Sequence, residues 1–219
     1  MLKIGHRGAK GHLAENTLAS FEKALQLHVG AIELDVHLSA DKKIMVIHDE
    51  TIDRTTIKTG FVNDLSSKEL QELGIPTLED VLQLIDRKCI IYIEIKDANA
   101  GDFVLQLIEK YISENNWSCN QFQISSFNWD ILERISNLNP KILIGVLTEN
   151  NWEEALLFAK KIKAHSINPF YKLLSKEKVT LLHENGFLIF PWTVNEPDDI
   201  VLLKSFTVDG IISDFPDRL

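Results

Sequence analysis

The sequence of residues 1–219 predicts one α/β domain, a (β/α)₈ barrel of the TIM type, and three observations lead to that fold. Short β-forming segments alternate with amphipathic helical segments along the whole chain. When one hairpin arm is set aside, eight strand–helix units remain, in about the smallest length that holds such a barrel. Charged and aromatic residues gather where the strands end, as at the C-terminal rim of these barrels. An open doubly wound sheet is the alternative, but the chain has no Gly-x-Gly-x-x-Gly segment.

Composition and charge narrow the class of protein. The chain is 45% hydrophobic and 25% charged and has no linker-like or low-complexity stretch, which is typical of one globular domain. A formal charge of −9 argues against binding nucleic acid or an anionic membrane, although a local basic cluster still permits a small phosphorylated substrate. Cys89 and Cys119 form no Cys-x-x-Cys pair, so we expect free thiols. With no leader-like or membrane-length apolar segment, we expect a cytoplasmic protein without stable membrane association, and a homo-oligomer is left open.

The predicted elements follow one another regularly. β-forming runs predict strands at 2–5, from 31 onward, and at 44–48, 90–96, 121–125, 142–146, 166–168, 188–192 and 210–212. Helical spacing of apolar residues predicts helices from 18 onward and at 64–73, 78–85, 103–111, 129–138, 152–162, 175–184 and 198–204. A short insertion at about 50–73 follows the hairpin arm 44–48 and ends in the helix at 64–73.

The second strand carries the densest charge. Glu33 and Asp35 alternate with aliphatic residues and therefore share one face, roughly 7 Å apart along the strand. Two carboxylates side by side repel each other unless a cation or a proton compensates. A turn centred on Asp41 and Lys42 would place His48 opposite Asp35 in an antiparallel hairpin. Taken alone, this pattern is equally consistent with a solvated strand face and a surface histidine.

Other strand ends favour a catalytic interpretation. Side chains that could take part in catalysis or binding stand at the ends of four predicted strands: His6 and Arg7, Glu33 and Asp35, Glu94 and Lys96, and Trp192. Three carboxylates on one rim would suit Mg²⁺ or Ca²⁺. His6 and His48 on either side would suit a general base and a general acid. Arg7 and Lys96 would supply positive charge where a phosphoryl group gathers negative charge. A structural ion pair between Glu94 and Lys96 is the alternative.

Four further residues are assigned less firmly. His37 shares the face of Glu33 and Asp35, but we interpret it as solvated and beyond the site. Phe127 and Trp192 form either an apolar wall of the site or ordinary rim packing; we favour function for Trp192 and leave Phe127 open. Asn16 either contacts the site or caps the first helix, a position that Thr17 could also take.

The ordered motifs of the chain resemble those of the glycerophosphodiester phosphodiesterase family over essentially its whole length. The segments that carry the resemblance are His6-Arg-Gly8, Glu15-Asn-Thr17, Glu33-Leu-Asp-Val36, His48-Asp49, Arg54-Thr-Thr56 with Gly60, Glu94-Ile-Lys96, Ser125-Ser-Phe127, Trp192-Thr-Val-Asn195 and Asp209-Gly-Ile-Ile-Ser-Asp214. The resemblance implies a barrel hydrolase that splits small glycerophosphodiesters into sn-glycerol 3-phosphate and an alcohol with a divalent cation. It further implies attack of the glycerol 2-hydroxyl on phosphorus, followed by hydrolysis of a cyclic phosphate.

The same resemblance implies roles for individual residues. The implied metal ligands are Glu33, Asp35 and Glu94, the acid/base pair is His6 and His48, the phosphate contacts are Arg7 and Lys96, and Trp192 lines the glycerol pocket. Two features depart from the family pattern: Leu13-Ala14 stands where a proline often precedes Glu-Asn-Thr, and the insertion is short. A short insertion leaves the preferred alcohol open.

Four other classes of protein are alternatives to this family. A lysophospholipase-D-like enzyme would act on lipid-tailed diesters and need an apolar ramp at the barrel mouth. A phosphatidylinositol-phospholipase-C-like enzyme shares the barrel and a histidine pair, but the Glu94 and Trp192 motifs favour the first family. An amidohydrolase would carry a His-x-His pair on the first strand, which His6-Arg7-Gly8 lacks. A catalytically dead phosphodiester-binding barrel would have lost one of the site positions, and none is lost.

Overall fold

The computed structural model describes all residues from Met1 to Leu219. Its strands are β1 (Leu2–Gly5), β2 (Ala31–Leu38), β3 (Ile44–Val46), β4 (Ile90–Ile95), β5 (Phe122–Ser126), β6 (Leu143–Thr148), β7 (Ser166–Pro169), β8 (Leu188–Ile189) and β9 (Gly210–Ser213). Its α-helices are α1 (Leu18–Gln26), α2 (Ser67–Glu72), α3 (Leu78–Ile85), α4 (Gly101–Glu114), α5 (Trp129–Leu138), α6 (Trp152–Ile162), α7 (Lys176–Glu184) and α8 (Pro197–Ser205).

Eight parallel strands form a nearly closed barrel. They are hydrogen-bonded in the order β8-β7-β6-β5-β4-β2-β1-β9, while β3 pairs antiparallel with β2 at the side. Backbone hydrogen bonds join the β8 segment to β9: the Asp209 amide donates to the Ile189 carbonyl (3.2 Å), and the Ile212 amide to the Pro191 carbonyl (3.0 Å). The predicted (β/α)₈ barrel is therefore confirmed.

The barrel interior changes from apolar to charged along its axis. A cluster of buried apolar side chains fills its lower part: Ile4, Ala31, Tyr92, Phe190 and Ile212. Gln123, Ser166 and Asn168 add a polar layer, in which the Gln123 amide donates to the Ser166 hydroxyl (3.1 Å) and that hydroxyl to Asn168 (2.8 Å). The helices pack their apolar faces against the outside of the strands in a separate core of 45 buried residues. The closed lower interior leaves the C-terminal rim as the open end.

The hairpin register differs from the prediction by one residue. Asp35 lies opposite Ile47, whose amide donates to the Asp35 carbonyl (3.0 Å), so the predicted pairing of Asp35 with His48 is wrong. The turn is centred on Asp41 alone, because Ser39 pairs with Lys43 and its hydroxyl accepts from the Lys43 amide (2.9 Å). Lys42 takes the left-handed conformation (φ 61°), which suits a three-residue turn.

The insertion has a small core of its own. Where one helix was predicted at 64–73, the chain forms a 3₁₀ turn (Val62–Asp64) and then α2. A capping box begins α2, since Ser66 and Glu69 each accept from the other's backbone amide. The buried residues beneath are Met45, Ile47, Ile52, Val62, Leu70 and Ile75. The insertion thus packs on the hairpin arm that leads to His48.

Two smaller features complete the description. The predicted strand at 188–192 is shorter, because the ladder of β8 ends at Ile189 and Trp192 makes an isolated bridge to Phe170. No helix combines the length and the apolar character needed to cross a membrane.

Gly5 is a position where a side chain has no space. A Cβ at Gly5 would lie 2.3 Å from the Gly8 carbonyl oxygen. That loop cannot retreat freely, because the Ser20 hydroxyl on α1 donates to the Arg7 carbonyl (3.0 Å) and accepts from the Ala9 amide (2.9 Å). We expect Gly5→Ala to lower the free energy of unfolding by about 2 kcal/mol, measured by urea denaturation.

A matched small change at the surface provides the control. Leu157→Ala removes a side chain that is 67% exposed on α6 and should shift the free energy of unfolding by less than about 0.5 kcal/mol. Equal stability of Gly5→Ala and the wild type would contradict the close packing of the β1 end on its loop.

Candidate active site

Three buried carboxylates meet at the C-terminal ends of two neighbouring strands. Asp35 on β2 lies beside Glu94 on β4 in the parallel ladder, and Glu33 precedes Asp35 on the same face. One oxygen atom from each of the three lies within 4.8 Å of the others. The strand alternation that points these side chains inward therefore produces the predicted acidic cluster.

Burial and mutual repulsion separate the ionisation of the three acids. Burial raises the pKa of Glu33 well above its usual value, and the charges of Asp35 and Glu94 raise it further. Burial and the Asp35 charge raise the pKa of Glu94 to about 7. Burial alone would raise the pKa of Asp35 too, but Arg7 and Lys96 outweigh it and hold that pKa below its usual value. Negative charge is therefore concentrated on Asp35.

Two cations compensate part of this charge. Lys96 Nζ lies 2.5 Å from Glu94 Oε1 and 3.4 Å from Asp35 Oδ1. Arg7 Nε lies 3.1 Å from Asp35 Oδ2, and the Arg7 backbone amide donates to Glu33 Oε2 (3.0 Å). Burial would lower the pKa of both cations, but the surrounding carboxylates outweigh it and raise both, so they stay charged.

Asn16 belongs to the cluster and does not cap α1. Its Nδ2 donates to Asp35 Oδ2 (2.9 Å), whereas the Thr17 hydroxyl accepts from the Ser20 amide and caps the helix. Asp35 Oδ1 and Glu94 Oε1 are buried and accept no hydrogen bond of good geometry, although Lys96 is near both. Two carboxylate oxygens aimed into the site are thus available to a further cationic partner.

The two predicted histidines flank the cluster, and each is bound at Nδ1 by an aspartate. His6 Nδ1 lies 2.5 Å from Asp214, and its Nε2 lies 3.9 Å from Glu33 Oε2. His48 Nδ1 lies 2.6 Å from Asp49. Burial lowers the pKa of both imidazoles, and the carboxylates around them only partly offset it. Both are therefore neutral near pH 7, with Nε2 free for a proton.

Glu15, Asp49 and Arg54 form an outer ion-pair network that the sequence motifs contained without an assigned role. Arg54 donates to Asp49 through Nε (2.6 Å) and to Glu15 through Nη2 (2.8 Å), and Glu15 also accepts from Arg7 Nη1 (2.8 Å). The network links His48 to Arg7 across the site. The sequence signal for this network was that Glu15, Asp49 and Arg54 each lie in a separate motif segment.

His37 was interpreted wrongly as solvated. It is only 9% exposed, and its Nε2 lies 3.0 Å from the His48 carbonyl oxygen. The hairpin arm β3 and the insertion cover it, which strand alternation alone could not show. His37 thus holds the backbone at His48.

A cavity of about 220 Å³ opens above the carboxylates. Its lining residues are His6, Arg7, Glu33, His48, Tyr92, Glu94, Lys96, Ser125, Phe127, Leu147, Glu149, Asn168, Trp192, Thr193 and Ile212. Phe127 and Trp192 meet edge to face with ring centres 5.4 Å apart, and Trp192 Nε1 donates to the Asn168 carbonyl (2.7 Å). Both aromatic residues therefore line the cavity as one wall.

Sequence reasoning missed Glu149 and Asn168 in this lining. Each stands at or just after the end of its strand, β6 or β7, so strand-end position was the available signal. A cavity with cations, carboxylates and two neutral imidazoles can bind an anionic phosphodiester and place two proton-transfer groups beside it.

Known proteins resemble this chain in sequence and fold. Residues 6–218 match the glycerophosphoryl diester phosphodiesterase family. A glycerophosphodiester phosphodiesterase of Caldanaerobacter subterraneus is 38% identical over 236 residues, covering 100% of this chain and 96% of that protein. A glycerophosphodiester phosphodiesterase structure from Thermotoga maritima is 30% identical with a TM-score of 0.86, covering 99% of this chain and 96% of that one.

A third relative shares the fold at lower identity. The structure of an Oleispira antarctica phosphodiesterase, solved with the product sn-glycerol-3-phosphate, has a TM-score of 0.86 at 24% identity and covers 98% of this chain and 93% of that one. The resemblance predicted from the motifs is confirmed by the match over residues 6–218. The chain belongs to the glycerophosphoryl diester phosphodiesterase family, and it is a hydrolase of glycerophosphodiesters.

Proposed function

We propose that the enzyme uses a divalent cation, Mg²⁺ or Ca²⁺, to hydrolyse small glycerophosphodiesters to sn-glycerol 3-phosphate and an alcohol. The observation that carries this proposal is the buried cluster of Glu33, Asp35 and Glu94 beside two neutral histidines in one cavity. The product bound to the Oleispira antarctica phosphodiesterase supports the proposed product class.

The carboxylate cluster fits a divalent cation. All three donors are oxygen atoms, which Mg²⁺ and Ca²⁺ prefer. Asp35 Oδ1 and Glu94 Oε1 are buried and have only the nearby Lys96 ammonium, with no hydrogen bond of good geometry. Burial, and after it the neighbouring carboxylate charges, raise the pKa of Glu33 and Glu94 despite the two cationic side chains. Bound there by Glu33, Asp35 and Glu94, a divalent cation would supply positive charge to the phosphoryl oxygens.

The histidines supply proton transfer in this proposal. Asp214 and Asp49 bind the Nδ1 atoms of His6 and His48, which leaves each Nε2 for the substrate. One imidazole accepts the proton of the attacking hydroxyl, and the other, once protonated, donates to the departing alcohol oxygen. Because both are neutral near pH 7, the histidine that serves as the acid first takes one proton from solvent, and the step then leaves the total number of protons on the pair unchanged.

The remaining residues bind and orient. Arg7 and Lys96 keep their charge and would contact the phosphate. Trp192 and Phe127 would pack against the carbon skeleton of the substrate, and Lys96 Nζ lies 5.8 Å from the centre of the Phe127 ring. Asn16 serves the same site by donating to Asp35.

Lipid-tailed substrates are the second candidate, because two apolar side chains of the insertion face water. Ile57 is 98% exposed and Phe61 is 48% exposed, although lone exposed apolar residues are common. A lysophospholipase-D-like activity would use such residues at an apolar entrance. A non-catalytic binding barrel is the third candidate, and measured turnover would exclude it.

Release of glycerol 3-phosphate from glycerophosphocholine tests the proposed reaction. We expect turnover with Mg²⁺ or Ca²⁺ and a loss of at least about 100-fold in EDTA, because the cation offsets charge that the protein leaves uncompensated. Glu94→Ala should abolish turnover while the far-UV spectrum stays unchanged. Full activity of Glu94→Ala, or activity insensitive to EDTA, would refute the cation site. Faster release of choline from lysophosphatidylcholine would favour the lipid-tailed candidate.

The histidine roles are tested by substitution. We expect His6→Gln and His48→Gln each to lower kcat by about 10²- to 10⁴-fold, since each removes a proton-transfer group. His183→Gln is the matched control, because His183 also bonds an aspartate, Asp209 (2.8 Å), but at the start of β9 on the opposite end of the barrel. Steady-state kinetics that place all three variants at the same kcat would remove the two histidines from the mechanism.

The ionisation of Glu94 is tested by stability in EDTA. The pKa of Glu94 is 4.5 in the unfolded chain and about 7 in the folded protein. Between pH 4.5 and about 7 the unfolded chain therefore binds fewer protons than the folded protein. Stability therefore falls as the pH rises from about 4.5 to about 7, by about 3 kcal/mol at most. Urea denaturation of Glu94→Gln should show a smaller fall over the same range. Parallel pH profiles for the two proteins would contradict the raised pKa.

A further inference from the structure

Two motifs that the function has not used converge behind His6. Asp214 follows β9 and accepts from His6 Nδ1 through Oδ1 (2.5 Å). Asn195 lies between β8 and α8, and its Nδ2 donates to Asp214 Oδ2 (2.8 Å). Asn195 Oδ1 accepts from the Asp214 amide (2.9 Å) and from the Ser213 hydroxyl (3.1 Å). Both ends of the Asn195 amide are therefore occupied, which fixes its orientation.

These contacts determine which nitrogen of His6 carries the proton. Burial would raise the pKa of Asp214, but the hydrogen bond from His6 and the one from Asn195 outweigh it and hold that pKa below its usual value. An ionised Asp214 can only accept, so His6 Nδ1 must donate. The neutral imidazole then presents an unprotonated Nε2 toward the cavity, on the side of Glu33.

We propose that Asp214 is a positioning residue for catalysis, and that Asn195 orients it so that His6 is held in the tautomer with the proton on Nδ1. This inference rests on the proposed function of His6 as a proton-transfer group. Asp214 itself touches neither the cavity nor the carboxylate cluster and acts through His6. An aspartate that fixes a histidine tautomer in this way is a recurring device of hydrolases.

A purely structural role explains these contacts less well. The strands that carry His6 and Asp214 are already joined by the ladder from Leu2 and Gly210 to Gly5 and Ser213. One more side-chain bond at the end of that ladder adds little to it. The use of both Asn195 amide ends to fix one carboxylate is, however, what a tautomer lock requires.

The second histidine is held in the same tautomer by a different arrangement. His48 bonds Asp49, but Asp49 is held by Arg54, which donates at 2.6 Å and carries a full positive charge. Arg54 offsets the Asp49 charge, whereas Asn195 leaves the charge of Asp214 in place. A guanidinium has only donors, while an amide has one donor end and one acceptor end. Exchanging an amide and a carboxylate can therefore reverse the hydrogen bonds at His6 but not those at His48.

Asp214→Asn preserves shape and reverses the bond. In this variant Asn195 Nδ2 still donates to the site of the original Asp214 Oδ2, so the amide oxygen of the new asparagine takes that site. The NH₂ group of the new asparagine then takes the site of Oδ1 and faces His6. That group donates to Nδ1 and forces the proton onto Nε2. We expect kcat to fall by about 10²- to 10⁴-fold, with KM within about threefold of wild type.

The exchanged pair Asn195→Asp with Asp214→Asn should restore the tautomer. The carboxylate at 195 then accepts from the amide at 214, whose oxygen faces His6 again, and the contacts of the 195 side chain with Ser213 and the 214 amide are kept. We expect the double variant to recover at least about tenfold in kcat over Asp214→Asn. A side chain needed only for folding would show no such rescue.

The tautomer is measured directly by ¹⁵N NMR of the imidazole rings in EDTA, with His6→Gln used to assign the His6 signals. We expect the proton on Nδ1 in the wild type and the double variant, and on Nε2 in Asp214→Asn. A wild-type His6 protonated on Nε2, or a double variant without rescue in both kcat and tautomer, overturns the proposal. Should the wild type hydrolyse no glycerophosphodiester, the proposed function fails, and the NMR result still decides the tautomer.

Discussion

The repulsion among Glu33, Asp35 and Glu94 is the constraint on which the site depends. Parallel strands with inward alternation bring the three carboxylates within 4.8 Å at a buried rim, where water cannot screen them. Arg7 and Lys96 lie against Asp35 and lower its pKa, while Glu33 and Glu94 keep raised values. Burial and mutual repulsion therefore leave two of the three acids with raised pKa values, and the proposed cation site depends on this property.

The same charge organises the loops around the rim. Arg7 is shared between the carboxylate cluster and Glu15, and Glu15 is shared with Arg54 of the insertion. The two ends of the loop between β1 and α1 are therefore tied to each other and to the insertion by ion pairs, and the insertion core beneath holds the hairpin arm. Such a network couples the placement of Arg7 to that of His48, although each belongs to a different strand end.

The sequence predicted the barrel and most of the site because both follow from local periodicity. The pairs Glu33 with Asp35 and Glu94 with Lys96 needed only strand alternation and the rule for strand ends. The predicted hairpin register was wrong because Ser39 pairs with Lys43 and its hydroxyl accepts from the Lys43 amide, which centres the turn on Asp41. The prediction that His37 is solvated was wrong because its burial by the insertion is a tertiary effect. The partnership of His6 with Asp214, 208 residues away, arises only when the barrel closes.

A histidine bonded to an aspartate does not by itself mark a catalytic group in this chain. Four such pairs occur: His6 with Asp214, His12 with Asp217, His48 with Asp49, and His183 with Asp209. Of these histidines, only His6 and His48 also line the cavity that contains Glu33, Glu94 and Lys96. The hydrogen bond to aspartate determines which ring nitrogen is free. The neighbouring carboxylates and cations determine which ligand can bind beside that nitrogen. The proposed roles of His6 and His48 therefore rest on the coincidence of the two, which occurs at the C-terminal rim of the barrel.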